Sequence, residues 1–175
     1  MKAIGNEPVV WVDHGKPERR SLAAKKVNLG CGRYPLAGYL NVDCHEPSDI
    51  NGDIWDLSFV GCEEVRMDHF LEHIPWTQTH ALLVKVHGWL IEGGLIRVEV
   101  PDMAAIFERG TGGDWLRYVY GSQQHEGEFH RAGFTAVSLY TALDEAGFTD
   151  VDVKSIISTF RTRQGMPCLV ATARA

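Results

Sequence analysis

The sequence predicts an α/β fold, a doubly wound, mostly parallel sheet of seven strands with one antiparallel strand near the C-terminus. Strand-like and helix-like segments alternate along the chain, the pattern of layered α/β domains. Seven strand-like runs fall at 26–30, 39–43, 50–53, 64–67, 95–100, 150–157 and 168–173. The last two are joined by a loop holding Gly165 and Pro167 that is too short for a crossover helix, so they must run antiparallel.

Taken in order, residues 1–25 form an N-terminal arm and residues 26–175 a single domain. In the arm, Pro8-Val9-Val10-Trp11-Val12 reads as a strand and Gly15 to Arg20 as polar turn material, expected to pack loosely. The first domain strand runs into Val27-Asn28-Leu29-Gly30-Cys31-Gly32, and the second is Leu40-Asn41-Val42-Asp43. Between the fourth and fifth strands Leu82, Val86, Trp89 and Leu90 recur at helical spacing, with Gly93-Gly94 as a left-handed stop. A second helix starts at Thr135, a good N-cap, and continues through Leu139, Leu143 and Ala146 to Gly147. The stretch Tyr120 to Arg131 is polar, aromatic and too long for a turn, which marks a lid or substrate loop.

A chain of 175 residues fits one domain, and that size buries about 70% of its unfolded surface. The formal net charge of -6 opposes sequence-independent nucleic-acid binding, which needs clustered cations, so no nucleic-acid partner is expected. Arg161 and Arg163 read as a solvated loop before a basic patch. Cys31, Cys44, Cys62 and Cys168 show no C-x-x-C spacing, which points to reduced thiols rather than a zinc site or disulfides. Without an apolar run of signal or membrane length, the expectation is a cytoplasmic protein with no membrane partner.

The glycine turn between the first two strands carries the functional signal. Gly30 and Gly32 allow positive φ and let a ligand lie against bare backbone. Asp43, at the tip of the next strand, is placed to accept hydrogen bonds from two ribose hydroxyls, so the turn reads as a nucleoside site. A dinucleotide would need G-x-G-x-x-G opening a full helix. Here Pro35 occupies the third glycine position, and the span from Gly32 to Tyr39 is too short for the usual helix. S-adenosylmethionine carries no phosphate and a positive sulfonium, so it loses little where no helix N-terminus is offered.

Six blocks then resemble a known family: Val27 to Gly32, Gly38 to Asp43, Gly52-Asp53-Ile54, Leu71-Glu72-His73-Ile74, Leu90 to Gly94, and Val98 to Asp102. In order and spacing they resemble class I S-adenosylmethionine-dependent methyltransferases of the small type-11-like group, over residues 26 to 173. Glu92 departs from the proline usual there, at what is expected to be a helix end. The resemblance implies a Rossmann-like sheet and S-adenosyl-L-methionine as cofactor, held by Asn28, Leu29, Gly30, Cys31, Gly32 and Asp43. It further implies that Asp53 accepts from the adenine amino group, that Ile54 covers the ring, and that Asp68 and His69 pass the methionine part. Cys31 reads as a small filler of a crowded turn rather than a redox group.

Methyl transfer from a sulfonium is an in-line displacement, so positioning supplies most of the catalysis. A hydroxyl or amine acceptor must also lose a proton, for which histidine is the natural base. The candidates are His69, His73 and His130, with His73 alternatively a brace for the loop and His130 alternatively a solvent-facing loop residue. His69 and His73 also fit H-x-x-E-H, a zinc spacing in one peptidase class. Within these blocks no metal is expected. The sequence therefore reads as a methyltransferase for a small or medium-sized hydroxyl or amino metabolite, such as a sugar or natural-product precursor. The rival readings are a non-catalytic S-adenosylmethionine-binding protein and a nicotinamide-dependent oxidoreductase, the latter opposed by Pro35. Neither acceptor nor oligomeric state is legible.

Overall fold

The computed structural model describes residues 10–12, 21–109, 115–158 and 165–175. The turn material at Gly15 to Arg20 and the Arg161 and Arg163 loop lie outside these residues. In chain order the strands are β1 (Val10–Val12), β2 (Ser21–Ala23), β3 (Lys26–Leu29), β4 (Leu40–Asp43), β5 (Ile50–Asn51), β6 (Phe59–Val60), β7 (Cys62–Asp68), β8 (Leu90–Pro101), β9 (Thr149–Ile157) and β10 (Pro167–Arg174). The helices are α1 (Thr79–His87), α2 (Met103–Glu108), α3 (Trp115–Tyr120) and α4 (Ala136–Glu145).

Seven of the strands form one sheet in the order β5-β4-β3-β7-β8-β10-β9, parallel except for β10, which is antiparallel to both its neighbours. This is the expected α/β, Rossmann-like, doubly wound arrangement. Strand order reverses at β3, because the chain first builds outward through β4 and β5 and then resumes on the other side with β7. Ligands of open α/β sheets bind beyond the carboxyl ends of strands at such a reversal. The β3–β4 connection holds no helix, as its length requires, and the buried Asn41 organises it instead. The Asn41 side chain takes the Leu36 N–H at 2.8 Å and donates to the carbonyls of Leu36 and Tyr39, both at 3.1 Å.

Side chains alternate across a strand with period two. Val65 and Met67 of β7, Ile96, Val98 and Val100 of β8, and Leu169 and Ala171 of β10 are fully buried. They share one core with Leu82, Leu83 and Val86 of α1 and with Leu139 and Leu143 of α4. The intervening positions, Arg66 and Asp68 of β7 and Arg97 and Glu99 of β8, are charged: Arg66 pairs with Asp68 and Arg97 with Glu99 along their own strands, and Arg97 reaches Asp68 across to β7.

Two expectations need correction. The glycine pair does not stop a helix: α1 ends at His87 with Gly88 as its C-cap, and Leu90 already opens β8. Gly93 (φ +72°) and Gly94 lie in a bulge, since Leu90 pairs with Cys62 but Leu95 pairs with Glu64. A Cβ on Gly94 would fall 2.9 Å from the Ile91 carbonyl oxygen, so glycine serves strand geometry here, and Glu92 sits in that bulge rather than at a helix end. The end of the arm is also not loose. Strand β2 pairs with β1 and β6, and Leu22 is buried in the main core, so this end of the arm is packed into the domain.

Candidate active site

The two glycines of the turn do different work. Gly30 (φ +66°) donates to the Val42 carbonyl at 2.9 Å, and a Cβ there would fall 2.4 Å from the Phe70 ring. Gly30 therefore makes room for Phe70, which follows β7. At Gly32 (φ +51°) a Cβ would meet nothing within 4 Å, so this residue presents bare backbone to open space. Asn28 and Leu29 cannot offer side chains to a ligand. Leu29 is wholly buried, and Asn28 spends its amide on Asn41 Oδ1 at 2.9 Å. Cys31 is buried, and burial, aided by the charges of Asp43 and Asp49, pushes its thiol up to about 11, which suits a protonated packing residue.

Asp43 ends β4 beside this turn. Its Oδ2 accepts the Gly32 N–H at 2.8 Å, and its Oδ1 accepts the N–H groups of His45 (2.8 Å) and Glu46 (2.9 Å). A carboxylate has about four acceptor positions, so three are engaged in fixing the turn and one remains on Oδ2. Asp53 lies just past β5, which pairs with β4 through Asp43 and Asn51. Its Oδ1 caps the Trp55 N–H at 2.9 Å, while Ile54 is buried in the core. Asp68 is held by two guanidinium groups, Arg66 at 2.5 Å and Arg97, which leaves mainly its backbone to meet a ligand.

His69 adopts φ +54°, rare outside glycine, and its ring lies between two carboxylates. Nδ1 is 3.1 Å from Glu72 Oε1, and Nε2 is 3.5 Å from Glu99 Oε1 and 3.9 Å from Cys168 Sγ. Burial would lower its pKa, but hydrogen bonds to Cys168, Glu72 and Glu99 outweigh it and raise the value to about 11. Burial likewise opposes the charges of Glu72 and Glu99, yet bonding to His69, and for Glu99 also to Arg97, brings both down to about 2. His69 is thus an imidazolium at neutral pH, with no lone pair to take a proton.

The geometry also separates His69 from His73. The segment Leu71–His73 is a short 3-10 turn, so the two histidines do not line one helical face. His73 instead meets His130, far along the chain, with ring centroids 4.9 Å apart in an edge-to-face arrangement. His73 Nδ1 is 3.1 Å from the Phe129 carbonyl, and His130 Nδ1 is 3.0 Å from the Tyr118 carbonyl. A carbonyl only accepts, so in each ring Nδ1 carries a hydrogen directed at it.

The loop from Tyr120 to Arg131 brings His130 there. It folds back on itself through a Gly121–Phe129 bridge, and the N–H groups of Arg131 (2.7 Å) and Ala132 (3.0 Å) both reach the Glu72 carbonyl. At its other side Gly127 packs against His45, two residues beyond Asp43, where a Cβ would fall 2.3 Å from the ring. The loop therefore reaches from the end of β4 to the end of β7, the two strands that flank β3 in the sheet. Sequence reasoning missed Phe70, His45 and the carboxylates around His69. The Arg-x-Asp of β7 and Arg-x-Glu of β8, at period-two spacing, were the available sign of a polar sheet face.

No protein-family model matches the chain, and none of the curated proteins does. Solved structures do. The fold is similar to that of a SAM-dependent methyltransferase from Archaeoglobus fulgidus, with 16% identity, TM-score 0.62, and 87% of this chain and 86% of that one covered. It is also similar to a putative O-methyltransferase from Nostoc punctiforme (15%, TM-score 0.61, 87% of this chain and 52% of that one). A third is the Burkholderia thailandensis 1,6-didemethyltoxoflavin-N1-methyltransferase, solved with S-adenosylhomocysteine (20%, TM-score 0.54, 87% and 71%). The chain therefore has the fold of SAM-dependent methyltransferases. Among the described residues no helix is long and apolar enough to cross a membrane.

Proposed function

We propose that the protein is an S-adenosylmethionine-dependent methyltransferase acting on the hydroxyl or amine of a small or medium-sized metabolite. The observation that carries this reading is Gly32: a positive-φ backbone facing open space, tied to Asp43, at the strand-order reversal. The cofactor's ribose takes the remaining position on Asp43 Oδ2, and its adenine reaches toward Asp53. The methionine part runs along the backbone of Asp68 and His69. The acceptor side belongs to His73 and His130, whose rings are oriented by the carbonyls that hold Nδ1. His69 is a brace. The loop from Tyr120 to Arg131 covers the cleft and excludes water from the transferring methyl group.

The test is transfer of an isotope-labelled methyl group from S-adenosylmethionine to a panel of hydroxylated and amino metabolites, followed by mass spectrometry. Label in one acceptor class supports the reading. Cofactor binding without transfer to any acceptor would favour a non-catalytic binding protein, since both bind the same ligand.

A further inference from the structure

Beside the cleft lies a set of donors that methyl transfer does not by itself require. One ligand atom each from Glu72, His73 and His130 lies within 4.8 Å of the other two. Glu72 is completely buried, and among the described residues its Oε2 has no hydrogen-bond partner. A buried carboxylate oxygen left unpaired is costly, so its retention needs a partner that the side chains alone do not supply. Each donor is also oriented from behind. His69 holds Glu72 Oε1, the Phe129 carbonyl holds His73 Nδ1, and the Tyr118 carbonyl holds His130 Nδ1. Metal-bound histidines characteristically donate their second ring N–H to a carbonyl or carboxylate in this way.

We propose that Glu72, His73 and His130 bind a first-row divalent transition-metal ion. Two imidazoles and one carboxylate suit zinc or ferrous iron rather than calcium or magnesium, which prefer all-oxygen ligands. Three protein ligands leave a position open on the ion for an oxygen that is not the protein's own. In the methyltransferase reading, on which this role rests, that oxygen is the acceptor hydroxyl. The ion would lower its pKa so that its proton leaves to water; the bond from that oxygen to the methyl carbon would form as the sulfonium's sulfur–methyl bond breaks, releasing S-adenosylhomocysteine, with His73 and His130 as ligands. Ion binding itself does not depend on that reading. The neighbouring set His69, Glu99 and Cys168 is not a rival, because its donors are spent on one another and on Arg97.

The test is calorimetric titration of the chelator-stripped full chain with zinc chloride, with S-adenosylhomocysteine binding measured on the same samples. One ion per chain is expected. Outer-shell losses cost roughly 10–100-fold in metal affinity, so His73→Ala and His130→Ala, which remove ligands, should each weaken zinc by at least that much. Retained S-adenosylhomocysteine affinity in His130→Ala would show that the variant is folded. Should Glu72→Gln fail to fold, the two histidine variants carry the test. Cobalt substitution should give visible absorption without a thiolate charge-transfer band, because no sulfur is in the set. No stoichiometric zinc uptake by the wild type, uptake unchanged in the double histidine variant, or a thiolate band would overturn the proposal. Zinc binding without S-adenosylhomocysteine binding would instead sink the cofactor reading and leave the ion site standing.

Discussion

His69 joins the end of β7 to β8 and to the turn that carries Glu72, and its charge is what makes the joint hold. Its folded pKa of about 11 lies above the ordinary 6.5, so its contribution is full below pH 6.5 and is lost as pH rises toward 11. Glu72 and Glu99, lowered from 4.5 to about 2, contribute above pH 4.5 and lose that contribution as pH falls toward 2. The cluster is therefore at full strength between about pH 4.5 and 6.5. Breaking a buried pair typically costs about 3–5 kcal/mol, so His69→Gln should lose that much at pH 6 by chemical denaturation. The gap to wild type should narrow as pH rises from 7 toward 11; a gap indifferent to pH would show that the imidazole is neutral. Asp43 holds the turn and, in the proposed function, the cofactor. Asp43→Ala should weaken S-adenosylhomocysteine by about 1.5–3 kcal/mol, the range for a bond to a charged group, and lower stability as three N–H groups lose their acceptor. Unchanged affinity in a folded variant would remove Asp43 from the ribose site.

At the scale of elements, those with two agreeing local signals were legible. Helix α4 has both an apolar spacing and a cap: Thr135 takes the Ser138 N–H, and Ser138 returns the bond in a capping box. Thr135→Ala should cost about 1 kcal/mol in denaturant titration and leave cofactor affinity unchanged. A loss in affinity instead would mean that α4 orders the site. The glycine pair after α1 was misread because a helix stop and a strand bulge both call for positive φ, and only the pairing with Cys62 and Glu64 tells them apart. The segment from Tyr120 to Arg131 was legible as a long polar loop, but not its contacts. No local rule connects His130 to His73 or Gly127 to His45. Gly121 pins the fold-back: at φ +79°, a Cβ would fall 1.8 Å from the Glu128 carbonyl oxygen. Gly121→Ala should open the loop to limited proteolysis between residues 121 and 131 while the rest of the chain stays protected. Unaltered cleavage would show that the loop tolerates the change.

For the whole molecule, the sheet order places every element of the site at one edge: the glycine turn after β3, Asp43 ending β4, and Glu72 and His73 beyond β7. That placement follows from strand order; the sequence made legible the seven strands and the antiparallel last pair, while the order itself is set by long-range pairing that no local segment encodes. The proposed preference for a thioether nucleoside over a dinucleotide rests on the missing helix between β3 and β4, which removes the dipole and the N–H groups that a pyrophosphate needs. Titration calorimetry with S-adenosylhomocysteine and, separately, with NAD tests this most directly. The structure predicts saturable micromolar binding of S-adenosylhomocysteine and no heat from NAD, whereas tight NAD binding with no response to S-adenosylhomocysteine would contradict it.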